Sequence, residues 1–152
     1  MSETSQFPSV TERLGLPLLY AGQAQKEFFV NESLSLVDAL ISCAVEGTAN
    51  TPPPAPGEGD LWLVGSTPTG GWSEQDGKLA LYDAGSWRFV PPNRGLRVFD
   101  RSLGCVRLYD ETWVTPTAPS AISGGTIVDA EARSRIDDLI ATLIANGLLT
   151  HG

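Results

Sequence analysis

The sequence predicts an α+β protein: an N-terminal helix, a small antiparallel β-rich middle built as a short-strand meander, sandwich or barrel-like unit, and a C-terminal oligomerisation helix. Three observations carry this. Apolar residues recur at three and four positions in two stretches near the ends of the chain, after Asn31 and after Asp129. Between residues 60 and 114 the apolar residues instead come in short runs bounded by Gly, Pro, Asp or Asn. Two segments rich in proline and small residues, Thr51–Gly59 and Pro116–Gly125, divide these regions. The expected organisation is an extended arm over residues 1–12, an attachment and helical segment over 13–50, a β-rich domain over 51–115, a linker over 116–125 and the C-terminal helix within 126–152.

Met1–Thr11 is polar apart from Phe7-Pro8, the composition of an arm that orders only against a partner. Leu14–Leu19 is apolar, but Gly15 and Pro17 suit an extended packed segment better than a helix interior. Ala21–Phe29 can form a short helical piece. Asn31 is a good N-cap for a helix in which Leu34, Val37, Leu40, Ile41 and Ala44 share a face, with Gly47 placed to end it. The consecutive prolines of TPPPAPGEG favour polyproline II and forbid both helix and central strand. Short strands are expected over 60–64, 78–82, 86–90, 96–99 and 105–109. In Trp87-Arg88-Phe89 and Leu96-Arg97-Val98, apolar and polar residues alternate as in an antiparallel sheet with one covered face. After the second linker, Thr126 or Asp129 can cap a helix ending at Asn146-Gly147, with Asp129 and Glu131 at the positive end of its dipole. Its stripe of Ala132, Ile136, Leu139, Ile140, Leu143 and Ile144 must pack, because an isolated helix of this length is marginal. The stripe could cover the chain's own sheet or meet its copies about a symmetry axis. Self-association is the favoured expectation, since the linker detaches the helix and Ile and Leu suit bundles of three or more strands.

An internal echo marks the β-rich region: Leu81-Tyr82-Asp83-Ala84-Gly85-Ser86-Trp87 returns as Leu108-Tyr109-Asp110-Glu111-Thr112-Trp113. The pattern reads as a duplicated hairpin in which Tyr ends one strand, Asp opens a turn by bonding its own backbone, and Trp begins the returning strand. Core or interface packing is the ordinary role for Trp62, Trp72, Trp87 and Trp113. Trp72, in the Gly-rich loop Thr69–Ser73, is the best candidate for an exposed stacking platform.

Composition excludes several function classes. A formal charge of −8 lacks the electropositive footprint of a nucleic-acid binder. Locally, Arg88, Arg94, Arg97, Arg101 and Arg107 fall in one window. They either solvate strand edges and pair with carboxylates across a subunit contact or form a surface for an anionic ligand. The single histidine, His151, leaves zinc and triad chemistry poorly served, and Cys43 and Cys105 are expected to be buried free thiols. No cofactor or metal is expected. Glu74, Asp76, Asp83, Asp110 and Glu111 could supply a glycosidase-like pair, but acidic residues in turns are commonplace, and no Walker loop, G-x-S-x-G or H-E-x-x-H is present. No apolar run reaches the ~18 residues of a membrane span, and no basic segment followed by an apolar run opens the chain.

Arg13–Leu19, Ala21-Gly22-Gln23-Ala24-Gln25-Lys26-Glu27 and Asn31-Glu32-Ser33-Leu34 resemble the opening of an uncharacterised domain family of alphaproteobacterial prophages and gene transfer agents, whose members are associated with tail fibres or spikes. The likeness extends through Pro53–Asp60, Gly71-Trp72 and Gly85–Pro92; Phe28-Phe29-Val30 departs from it in being bulkier than the expected polar residues. The resemblance implies a virion structural protein, made in the bacterial cytoplasm: a homotrimeric fibre or spike component, partnered by tail, baseplate or spike proteins. Gln23, Gln25 and Lys26 would be polar assembly ties, and Ile136, Leu139, Ile140 and Leu143 the oligomer stripe. Trp72, Arg88, Arg97 and Arg107 would face a host-surface polysaccharide. An architectural adaptor without receptor contact is the alternative, and a capsule-degrading or deacetylating enzyme the third reading. The family has no established catalytic residues to carry over.

Overall fold

The short apolar runs between Ala44 and Val114 pair into two four-stranded mixed sheets rather than a closed barrel. The computed structural model describes residues 9–22, 24, 26–120 and 129–150. Gln23, Gln25, Thr126, His151 and most of the expected arm lie outside the described residues. Helix α1 (Lys26–Ile41) precedes strands β1 (Ala44–Val45), β2 (Thr48–Ala49), β3 (Leu61–Val64), β4 (Leu79–Asp83), β5 (Ser86–Val90), β6 (Arg97–Asp100), β7 (Cys105–Asp110) and β8 (Thr112–Val114), and helix α2 (Ala130–Ala145) follows.

The two sheets share one plan. In the first, β3, β4 and β5 form an antiparallel meander with β2 added in parallel at the edge; in the second, β6, β7 and β8 form the meander and β1 is the parallel edge. The run 44–49 therefore serves both sheets within one short stretch. Phe99 and Arg101 donate their backbone N–H groups to Cys43 and Val45, while Glu46 donates to Leu61 and Leu63 donates to Gly47. The proline-rich segment Thr51–Gly59 connects β2 to its own neighbour β3, so it lies within a sheet's connectivity rather than between two bodies.

The sequence echo is a structural duplication. Tyr82 pairs with Trp87 and Tyr109 with Trp113, with ring centroids 5.0 and 5.2 Å apart. The first turn has two residues, Ala84 and Gly85, both at positive φ (50° and 74°), as a type I′ hairpin requires; the second has only Glu111, at φ 66°. Neither Asp side chain bonds its own turn, contrary to expectation, although the Ser86 hydroxyl donates to the Asp83 carbonyl. Asp83 accepts from Arg88 and Asp110 from Arg94, while the amides of Ala84 and Gly85 donate to the Glu58 carboxylate at 2.8 and 2.9 Å.

The main core lies between the sheets and under α1, gathering Ala39, Val45, Leu61, Leu63, Leu79, Leu81 and Val98. A second cluster covers the opposite face of the β3–β5 sheet with Val64, Trp72 and Ala80, flanked by Trp62, Trp87 and Phe89. Both faces of that sheet are thus covered, which explains its nearly continuous apolar strands.

Helix α1 departs from its sequence reading. It begins five residues before Asn31 and ends before Ala44, which is in β1. Val37 and Ile41, assigned to the packed face, are 45% and 67% exposed, whereas Asp38 and Ala39 are buried. The reason is a strap made by residues 9–19. Asp38 accepts the backbone N–H groups of Arg13 and Leu14 at 2.9 and 2.8 Å, and Asn31, instead of capping, pairs its amide with the N–H and carbonyl of Leu19. Polar residues on α1 face inward to satisfy that extended backbone.

Helix α2 starts as read, Asp129 accepting from Ala132 N–H at 2.9 Å. It stops at Gly147, whose positive φ of 69° lets the N–H groups of Gly147 and Leu148 reach the carbonyls of Ile144 and Leu143. The Gly147 carbonyl accepts from Val106 on β7, and a Cβ at Gly147 would sit 3.1 Å from the Phe99 ring. Gly147→Ala is expected to cost about 1 to 2 kcal/mol, from strained φ and crowding together; a urea midpoint equal to that of the parent would refute this docking.

Candidate functional site

The four residues expected to form a ligand surface do not converge. Trp72 is fully buried: the Gly-rich loop folds back through a 3₁₀ turn, Gly70–Trp72, and drives the indole onto the outer face of the β3–β5 sheet. There it packs edge-on against Trp87, with centroids 5.0 Å apart at 90°. The expectation of an exposed platform is overturned because a Gly-rich loop near an uncovered apolar sheet face closes over it. Arg88 lies in that sheet and pairs with Glu32 of α1 and Asp83 of β4. Arg97 and Arg107 lie in the other sheet, and their register partners, Leu108 and Val98, put them on opposite faces. Arg97 is exposed. Arg107 is held by Asp100 at 3.4 Å and by the Thr48 hydroxyl at 2.8 Å. With Arg94 on Asp110 and Arg101 on Glu46, most of the basic window is neutralised within the chain, and such exposed pairs add little stability.

Among the described residues, two exposed apolar surfaces matter here. The first surrounds the start of α1. Lys26, its first residue, is exposed, and Glu27 accepts from the N–H of Gly22. Phe28 and Phe29 are 63% and 70% exposed and stand edge to face, 5.9 Å apart. With Leu18, Leu19, Asp83 and Arg88 they line a groove of about 680 Å³. The second is α2, in which no residue is buried: Ile136 and Leu139 are 40% and 59% exposed, and Ile140 and Leu143 are half-buried.

Sequence reasoning missed the residue that ties the N-terminal strap to the fold. Arg13 donates from Nη1 to the Ser42 carbonyl, from Nη2 to Ala44 and Gly59, and from Nε to Gly59, so one guanidinium joins the end of α1, β1 and the proline-rich segment. Burial, then the neighbouring Arg101, lower its pKa from the ordinary arginine value. The signal was present in the Arg-Leu-Gly-Leu string, but an arginine's carbonyl partners are set by tertiary contacts.

Cys43 and Cys105 are free thiols, half-buried and buried respectively, and burial raises the pKa of each. Among the described residues, no group of three or more His, Cys, Asp or Glu could hold a metal ion, and no helix is long and apolar enough to cross a membrane.

The region that carries both sheets is the part shared with known sequences. Residues 30–114 match DUF2793, a family described as proteins of unknown function, and the chain belongs to that family. The match begins within α1 and ends at β8, leaving the Ala21–Glu27 string and α2 outside it. No curated protein matches the chain.

Proposed function

We propose that this chain is a virion structural protein: a homotrimeric component of the tail fibre or spike of a phage or gene transfer agent. Its α2 helices would associate through Ile136, Leu139, Ile140 and Leu143, and the surface around Lys26, Phe28 and Phe29 would dock on tail, baseplate or spike proteins. The observation that carries this reading is the stripe of α2, in which no residue is buried among the described residues while the helix end is anchored on β7. Apolar side chains at a and d spacing on an exposed helix gain most by meeting copies of themselves. The likeness of the N-terminal string to phage and gene-transfer-agent proteins supplies the setting.

The experiment is light scattering on the full chain with and without Ile136→Glu and Leu143→Glu. The parent is expected at three times the chain mass and the double variant at one, with an unchanged far-ultraviolet spectrum. A monomeric parent would overturn the proposal. The burial of Trp72 and the pairing of Arg88 and Arg107 count against recognition through the predicted surface, and an architectural adaptor without receptor contact is the second reading.

A further inference from the structure

A crevice of about 390 Å³ opens where the two sheets meet, bounded by the loop before β4 on one side and by the β7–β8 hairpin on the other. That volume is within the ~300–1,000 Å³ of small-molecule sites. Tyr109 and Trp113 form part of its wall, and the Trp113 ring is fixed because its indole N–H donates to the Gly77 carbonyl at 2.8 Å. Asp76 and Glu111 stand at its exposed rim, Glu111 held at φ 66° on the single-residue turn, a conformation that L side chains adopt only at a cost. Arg107 also lines it, with its Nη1 engaged by Thr48 and Asp100 and its Nε buried without a hydrogen-bond partner.

The geometry points to a saccharide-binding crevice that takes a neutral or amino sugar. A pyranose has one apolar C–H face, which suits an immobilised aromatic wall, and a rim of hydroxyls that donate to carboxylates and accept from a guanidinium. Charge selects within the class. Arg107 is already matched by the fully buried Asp100, so Asp76 and Glu111 leave the crevice formally negative and disfavour uronic, sialic or phosphorylated sugars. This is the opposite of the anionic ligand that the arginine-rich window suggested. The assignment rests on the preceding reading only in taking a host-surface polysaccharide as the source of the sugar.

Saturation-transfer NMR on the full chain tests it, with the methyl glycosides of glucose, galactose, mannose and N-acetylglucosamine, short oligosaccharides of the same units, and glucuronic acid. At least one neutral or amino sugar should bind in the millimolar range, about tenfold or more tighter than glucuronic acid. Tighter binding of the oligosaccharide would mark a polysaccharide as the source, and equal binding a free sugar. The exposed pair Asp76→Asn with Glu111→Gln should weaken binding about tenfold without moving the melting temperature, and Trp113→Phe should weaken it further. Absence of transfer from every neutral sugar, preference for glucuronic acid, or binding untouched in the Asp76/Glu111 variant would each overturn the assignment. A trimer that binds no sugar refutes this inference and leaves the structural reading standing; a sugar-binding monomer does the reverse.

Discussion

Replacing Trp72 with alanine is expected to lower stability by about 4 kcal/mol, one of the largest losses available to a single substitution in this chain. The indole is wholly inaccessible, touches Trp87 edge to face, and covers Val64 and Ala80 on the outer side of the β3–β5 sheet. Alanine removes that apolar area and the aromatic contact together, and the Gly70–Trp72 turn, held by hydrogen bonds from the Thr69 N–H to the Asn50 carbonyl and from the Trp72 N–H to the Thr69 carbonyl, limits how far the loop can collapse into the space. Trp72→Phe should recover more than half of the loss. Urea denaturation measures both. A cost below about 1 kcal/mol for the alanine variant would mean that the ring does not close the sheet, and would restore it as a candidate surface residue.

Asp38→Ala is expected to cost about 3 kcal/mol and to act first on the strap of residues 9–19. The carboxylate is 3% exposed and accepts two backbone N–H groups, from Arg13 and Leu14. Alanine leaves both amides facing a buried space with no acceptor, and hydrogen bonds to a charged group are among the stronger ones. Arg13 sits at the same junction, so loosening its backbone also disturbs its hold on Ser42, Ala44 and Gly59. Amide hydrogen exchange at Arg13 and Leu14, with tryptic cleavage after Arg13 as a second readout, follows the effect directly. Unaltered protection at those amides in the variant would remove Asp38 from this role.

These two residues show where sequence patterning stops being informative. Strand β5 was legible because Trp87, Arg88 and Phe89 alternate, and α2 because its start and stop signals, Asp129 and Asn146-Gly147, are local chemistry. The inward face of α1 was not, because Asn31 and Asp38 serve backbone groups of a strap that periodicity does not see. Strands β1 and β2, two residues each, exist only through partners far along the chain. Trp72 looked exposed because composition identifies a loop without saying which surface the loop closes. Composition could not show that Arg88, Arg94, Arg101 and Arg107 pair with Glu32, Glu46, Asp83, Asp100 and Asp110, and the Tyr-Trp hairpin echo was visible in the sequence but its crevice, formed with residues of the other sheet, was not.

The run from Ala44 to Ala49 also sets how the chain can come apart. Ala44 and Val45 close onto Phe99 and Asp100, while Thr48 and Ala49 close onto Leu63 and Val64. Each meander acquires its fourth strand from the same few residues, so the two sheets are tied together at one short stretch. Pairing of this range makes loop closure precede its reward, which slows folding and couples the two sheets into one transition. Loss of either meander frees its own edge strand, and only Glu46 and Gly47 separate that strand from the one still paired in the other sheet.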